Sequence, residues 1–161
     1  MRRFLFVTLF TLAGIAMYAQ EIKKIKITDL QKTIAESKTP LIVNFWASWC
    51  VPCIEELPYF MEEAKKHEKD SLQLLLVSLD FDEQYPNGLS KFIQKRKITA
   101  PVVWLDETNA DYFCPKVDAK WSGAIPASLF INNSKGYRKF FEAQLSHEEL
   151  KKEIMAILPG N

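Results

Sequence analysis

Residues 44–53 read Asn44–Phe45–Trp46–Ala47–Ser48–Trp49–Cys50–Val51–Pro52–Cys53. Before them stands the apolar run Leu41–Ile42–Val43, the pattern of a buried strand, and after them comes helical periodicity. Two cysteines two residues apart at such a junction point to a dithiol/disulfide redox centre. Cys50 falls at or near the helix N-cap, where unpaired N–H groups and the helix dipole favour a thiolate over a thiol. Pro52 suits the first helical turn, where an N–H would lack an intrahelical partner anyway. Cys53 lies three residues on, within reach of Cys50. A zinc site would want four ligands, and the chain adds only Cys114, His67 and His147, none in a second paired spacing. A disulfide closing so short a ring would constrain little of the unfolded chain. No metal and no cofactor is expected.

The chain has 161 residues, 48% of them hydrophobic, enough for one domain with a sizeable core. Its first residues have the composition of a targeting segment. Met1–Arg2–Arg3 is a basic start, Phe4–Met17 an apolar run, and Ala19 a small residue suited to cleavage before Gln20. The expected organisation is a signal peptide over residues 1–19 and one domain over 20–161. An uncleaved anchor is the lesser alternative, since a spanning helix needs about 20 apolar residues and Met17 is large for position −3. Export places the cysteine pair in the periplasm or otherwise outside the cytoplasm, where disulfides persist. Without Arg2 and Arg3 the domain holds 19 basic and 20 acidic residues, net −1. That balance gives no reason to expect nucleic-acid binding.

Taken in order, Glu21–Ile27 reads as a short edge strand. Thr28–Asp29–Leu30–Gln31 has a capping-box pattern and opens a helix that should end before Pro40. Leu41–Ala47 is a strand buried on both faces. Helical spacing from Val51 to about Lys69 brings Val51, Ile54, Leu57, Phe60 and Ala64 together, with a kink expected near Pro58. Leu72–Leu79 is the next buried strand, Asp80–Gly88 an acidic loop, Leu89–Arg96 a helix and Val102–Leu105 a short strand. Glu107–Gly123 is the least readable section, with a short helix starting near Thr108. Ala127–Asn132 and Tyr137–Phe141 form a hairpin across Asn133–Gly136. Ser146–Glu149 is a second capping box, opening a final helix to Leu158. Strands alternating with helices, then a hairpin and a helix, make an α/β fold with a mixed central β-sheet flanked by helices.

Trp46–Cys53, followed about 70 residues later by Gly123–Ala124–Ile125–Pro126–Ala127, resembles the thioredoxin fold, and more narrowly the exported TlpA/ResA-type thiol-disulfide oxidoreductases. The likeness covers roughly residues 22–158. It implies a cis Ile125–Pro126 bond packed beside the disulfide, with the Ile125 backbone open to pair with an extended substrate strand. Cytoplasmic thioredoxins, which this chain also resembles, have a buried aspartate where Asn44 stands, and an amide cannot shuttle a proton. The TlpA/ResA-type proteins offer a glutamate three residues after the second cysteine, here Glu56. Helix geometry leans that side chain toward Cys53, while Glu55 points about half a turn away. The alternative for Glu56 is a solvated glutamate of the first turns.

The resemblance therefore implies a protein-disulfide oxidoreductase with Cys50 attacking, Cys53 resolving and Glu56 assisting. Trp49, Pro52, Ile125 and Pro126 would meet the substrate. It also implies a disulfide-containing protein substrate, apocytochromes c among the candidates, and a membrane thiol-disulfide electron donor. Val51–Pro52 offers no charge or donor to the Cys50 thiolate, which favours a reductant over a strong oxidant. The rival is a non-catalytic binding module on the same fold, a copper or assembly chaperone, which would want a histidine or methionine near the cysteines. A peroxidase would want a lone attacking thiolate. Trp46 and Trp49 are candidates for an apolar platform around the sulfurs, Trp46 equally for the core. Trp121 fits either the substrate groove or a loop anchor. Cys114 reads as an inert thiol, and His67 and His147 as solvated.

Overall fold

The computed structural model describes residues 21–160; the leader expected over 1–19 lies outside them. Six strands form one sheet in the order β1-β4-β3-β2-β5-β6. They are β1 (Lys23–Ile25), β2 (Leu41–Trp46), β3 (Gln73–Ser78), β4 (Val102–Leu105), β5 (Ala127–Asn132) and β6 (Tyr137–Phe141). β1, β4, β3 and β2 run parallel, while β5 and β6 are antiparallel to their neighbours. The helices are α1 (Ile27–Glu36), α2 (Val51–Lys66), α3 (Asn87–Arg96), α4 (Ala110–Val117) and α5 (His147–Ile157). No helix among the described residues is long and apolar enough to cross a membrane.

β2 lies in the middle of the sheet, and every one of its residues is buried. Alternation sorts its side chains onto two faces. Leu41, Val43 and Phe45 enter one core with α1, α4 and Trp121. Ile42 and Trp46 enter the other with Leu57 and Phe60 of α2 and Leu150 and Ile154 of α5. Asn44 shares this second face, so the sheet pleat sends an amide beneath α2. The parallel pairing of β2 with β3 and β4 gathers their C-terminal ends at one pole, where the chain leaves β2 for Cys50.

Several boundaries differ from those expected. α1 begins at Ile27 with Lys26 at its cap, not with Thr28 there, because Ile27 is fully buried and the first orphan N–H groups find the acids Asp29 and Glu107. Lys26 N–H donates to Asp29 Oδ2 at 3.0 Å, and Ile27 N–H to Glu107 Oε1 at 3.0 Å. α2 ends at Lys66, with a separate 3-10 turn over Glu68–Asp70, and it continues through Pro58 without a break. The acidic loop contains a 3-10 turn over Asp82–Gln84 and a cis Tyr85–Pro86 bond, and α3 starts at Asn87. Residues 107–123 contain α4, which starts at Ala110 and holds Pro115 in its last turn. The second capping box forms as expected: Ser146 Oγ accepts from Glu149 N–H, and Ser146 N–H donates to Glu149 Oε2 at 2.9 Å.

Candidate redox site

The site begins where β2 stops. Ala47 O accepts from Cys50 N–H at 3.1 Å, a turn that delivers Cys50 to the N-cap of α2. Cys50 Sγ accepts from Cys53 N–H at 3.3 Å, so the sulfur itself caps the helix. Pro52 sits in the first turn, where no N–H is missed. Cys50 and Cys53 are joined, S–S 2.02 Å. Both are buried, Cys53 completely and Cys50 all but 6%.

Across from the sulfurs lies the loop before β5. The Ile125–Pro126 bond is cis, and Ile125 O stands 3.8 Å from Cys50 Sγ. The Glu142 carboxylate holds this loop, accepting from the Ser122 and Ala124 N–H groups at 3.0 Å and from the Ser122 hydroxyl. Those bonds, the hydroxyl's foremost, hold the Glu142 carboxyl below its usual range against a burial cost. Gly123 has φ +97°, a conformation that strains any residue with a Cβ. Trp121 Nε1–H donates to Ala124 O at 2.9 Å, and the ring packs among Phe45, Phe113 and Phe140. Trp121 is thus a buried loop anchor and does not line a groove.

Behind Cys53 sits Glu56, fully buried with Cys53 on the inward face of α2. Its Oε1 accepts from Asn44 Nδ2 at 2.8 Å and its Oε2 from Leu145 N–H at 3.0 Å. Burial pushes its carboxyl up to about 7, and those two bonds limit the rise. Asn44 also donates to Ser128 Oγ at 3.0 Å, the residue directly opposite it on β5. Its Oδ1 makes no hydrogen bond. A polar pocket holding a titratable carboxyl therefore lies one helical turn from the inner sulfur.

The AhpC/TSA family model matches residues 8–136 of this chain. The chain belongs to that family. The chain is 34% identical over 113 residues to the sporulation thiol-disulfide oxidoreductase A of Bacillus subtilis, covering 68% of this chain. It spans only 63% of that relative's length. It is 35% identical over 140 residues to the thiol-disulfide oxidoreductase ResA of Bacillus thuringiensis, covering 86% of this chain and 72% of that one. The crystal structure of StoA from Bacillus subtilis superposes with a TM-score of 0.57 at 31% identity, covering 75% of this chain and 86% of that one. The mixed sheet flanked by helices is the thioredoxin-like fold that the motifs implied.

The other residues singled out in this AhpC/TSA-family chain also have definite places, and the two histidines need correction. Trp46 is fully buried against Phe92 and belongs to the core, whereas Trp49 is exposed and stacks on Phe81 at 5.8 Å. His147 is not solvated. Its Nε2 lies 2.8 Å from Glu63 Oε1, and its ring stacks on Tyr59 at 4.9 Å, because α5 packs on α2. His67 is half-buried and pairs with Asp70 at 2.9 Å. Burial works against ionisation of Glu63, yet hydrogen bonds from Lys66 and His147 hold its carboxyl below the usual range. Glu62, Glu63 and His147 bring ligand atoms within 4.8 Å of one another, but Lys66 Nζ already binds both carboxylates at 2.7 and 2.8 Å. Cys114 is buried away from the pair; burial above all, then Glu142 and Asp111, pushes its thiol up to about 11.

One residue of the site escaped sequence reasoning altogether. Asp80 is buried at the end of β3, and its carboxylate accepts from Ser48 N–H at 3.0 Å, from the Ser48 hydroxyl and from Ser78 Oγ at 2.7 Å. Its own carbonyl accepts from Trp104 Nε1–H at 2.7 Å. The signal was an aspartate directly after an apolar strand, where an exposed loop would follow.

Proposed function

We propose that the protein is an exported protein-disulfide oxidoreductase working as a reductant. The observation that carries this reading is the Cys50–Cys53 pair at the start of α2, with Ile125 O on one side and a buried Glu56 on the other. Reduced Cys50, as thiolate, attacks one sulfur of a substrate disulfide. The substrate S–S bond breaks, a mixed disulfide forms, and the departing substrate thiolate takes a proton from water. Cys53 then gives its proton to ionised Glu56 and attacks Cys50 Sγ. The second substrate thiolate leaves, and the pair ends oxidised, as it stands in this structure.

Three features support the division of labour. Cys50 is the more exposed sulfur and carries the N–H of Cys53. Cys53 is sealed three residues further on, within the first turn of the helix. Glu56 titrates near neutrality, the range in which a general base can both take and return a proton. Trp49, Pro52, Ile125 and Pro126 would border the bound substrate, with the Ile125 main chain pairing to an extended segment. The leader over residues 1–19 would carry the protein out of the cytoplasm. A membrane thiol-disulfide donor would return two electrons, and apocytochromes c are candidate substrates by resemblance alone.

The test is substrate trapping. Cys53→Ala should attack but not resolve, so a mixed disulfide through Cys50 should accumulate, while Cys50→Ala should trap next to nothing. If alkylation of the reduced protein labels Cys53 first, or only Cys50→Ala traps substrate, the roles are wrongly assigned.

A further inference from the structure

A single exposed apolar side chain is ordinary, but large ones clustered together mark a surface that meets something. Three stand exposed around Cys50: Trp49 at 53%, Val51 at 64% and Phe81 at 65%. Trp49 and Val51 flank Cys50 in the chain. Phe81 comes from the loop after β3, and its ring stacks on Trp49 with centroids 5.8 Å apart and planes 17° from parallel.

The stack is held from below. Asp80, the residue before Phe81, binds Ser48, the residue before Trp49, through both the N–H and the hydroxyl. Trp104 pins the Asp80 carbonyl. Both rings are thus carried on loops joined by hydrogen bonds to the buried Asp80 carboxylate, and a ligand meeting them pays little ordering entropy. The turn that follows adds charge. Asp82 and Glu83 are exposed and make no ion pair among the described residues.

We infer that Phe81, stacked on Trp49, is a specificity-determining residue that seats an apolar side chain next to the substrate's reactive cysteine. Asp82 and Glu83 favour a basic residue beside it. This rests on the oxidoreductase reading and names its substrate class: an extended polypeptide segment, apolar and net positive around its disulfide. The occupant is a substrate segment because any group attacked by Cys50 must lie within a few ångströms of that sulfur, and Trp49, on which Phe81 stacks, is the residue next to Cys50 in the chain. The acidic turn then selects the sign of charge.

The experiment uses the reduced full-length protein and three peptide disulfides that differ only around the cysteine: Phe with Lys, Ser with Lys, and Phe with Glu. Wild type should show kcat/KM about tenfold higher for the first peptide than for either of the others. Phe81→Ala should bring the Phe-to-Ser ratio to near one, and Phe81→Leu should restore part of it. Asp82→Asn with Glu83→Gln should bring the Lys-to-Glu ratio toward one and leave the Phe-to-Ser ratio high. Unchanged ratios in Phe81→Ala would overturn the inference. So would a concentration-dependent wild-type dimer that Phe81→Ala abolishes without touching the ratios, which would make the face a self-association surface. Hydroxyethyl disulfide separates the two levels: if wild type cannot reduce even this, the oxidoreductase reading falls and takes the inference with it.

Discussion

In the proposed reaction, Glu56 is the residue on which chemistry and stability meet. Its carboxyl, held near 7 by burial, binds its proton more tightly folded than unfolded. Between about pH 4.5 and pH 7 the folded state therefore holds more protons, and stability falls as pH rises through that window. The loss amounts to about 3 kcal/mol at most. Glu56→Gln should flatten it, since the amide can still accept from Asn44 or from Leu145 N–H; denaturant melts at pH 5 and pH 8 would show the difference. In the reaction, the wild-type resolution rate should rise through about pH 7 as Glu56 ionises, and the Gln variant should lack that inflection. A Gln variant with an unchanged rate–pH profile would leave Glu56 a structural group. Asn44 explains how an untitratable residue serves this position: its amide N–H holds the carboxylate at 2.8 Å.

Among the elements, the loops leaving β2 and β3 behave as one unit because Asp80 ties them. Asp80→Ala would leave the Ser48 N–H and two serine hydroxyls without their acceptor, at a cost of about 2 kcal/mol or more. Chemical denaturation measures that, and reduction of protein disulfides should slow along with it because Cys50 loses its fixed turn. Asp80→Asn, which keeps one acceptor oxygen, should recover part of both. Further along α2, α5 is fastened to that helix by His147 on Glu63 and by Leu145, just before α5, on Glu56. His147→Ala should cost about 1 kcal/mol and spare the thiol chemistry, since Glu63 keeps Lys66 at 2.8 Å.

For the molecule as a whole, two measurements bear on its place in the cell. Mass spectrometry of the native protein should find it beginning at Gln20; retention of Met1–Ala19 would favour an anchor. The reduction potential of the Cys50–Cys53 pair should lie nearer the about −270 mV of a reductant such as thioredoxin than the about −120 mV of a strong oxidant. Val51 and Pro52 between the cysteines supply no charge or extra donor to stabilise the thiolate. A value at the oxidising end would reverse the direction of electron flow proposed here.

Periodicity and spacing were enough for the strand β2, the helix α2, the cysteine pair at their junction, the hairpin Ala127–Phe141 and the α5 capping box, because each is written in contiguous residues. Glu56 could be aimed at Cys53 for the same reason, since both lie on one helix. Its partners could not: Asn44 is 12 residues away and Leu145 89, and only packing of β2 and α5 against α2 buries the carboxyl among them. Asp80 and Phe81 looked like part of an acidic loop until the parallel pairing of β2 with β3 laid that loop beside Ser48 and Trp49. His147 looked solvated on its own helix and became half-buried through α2. Local pattern reports what neighbours along the chain can do together; hydrogen bonds and stacking between distant segments exist only once the sheet order has set those segments side by side.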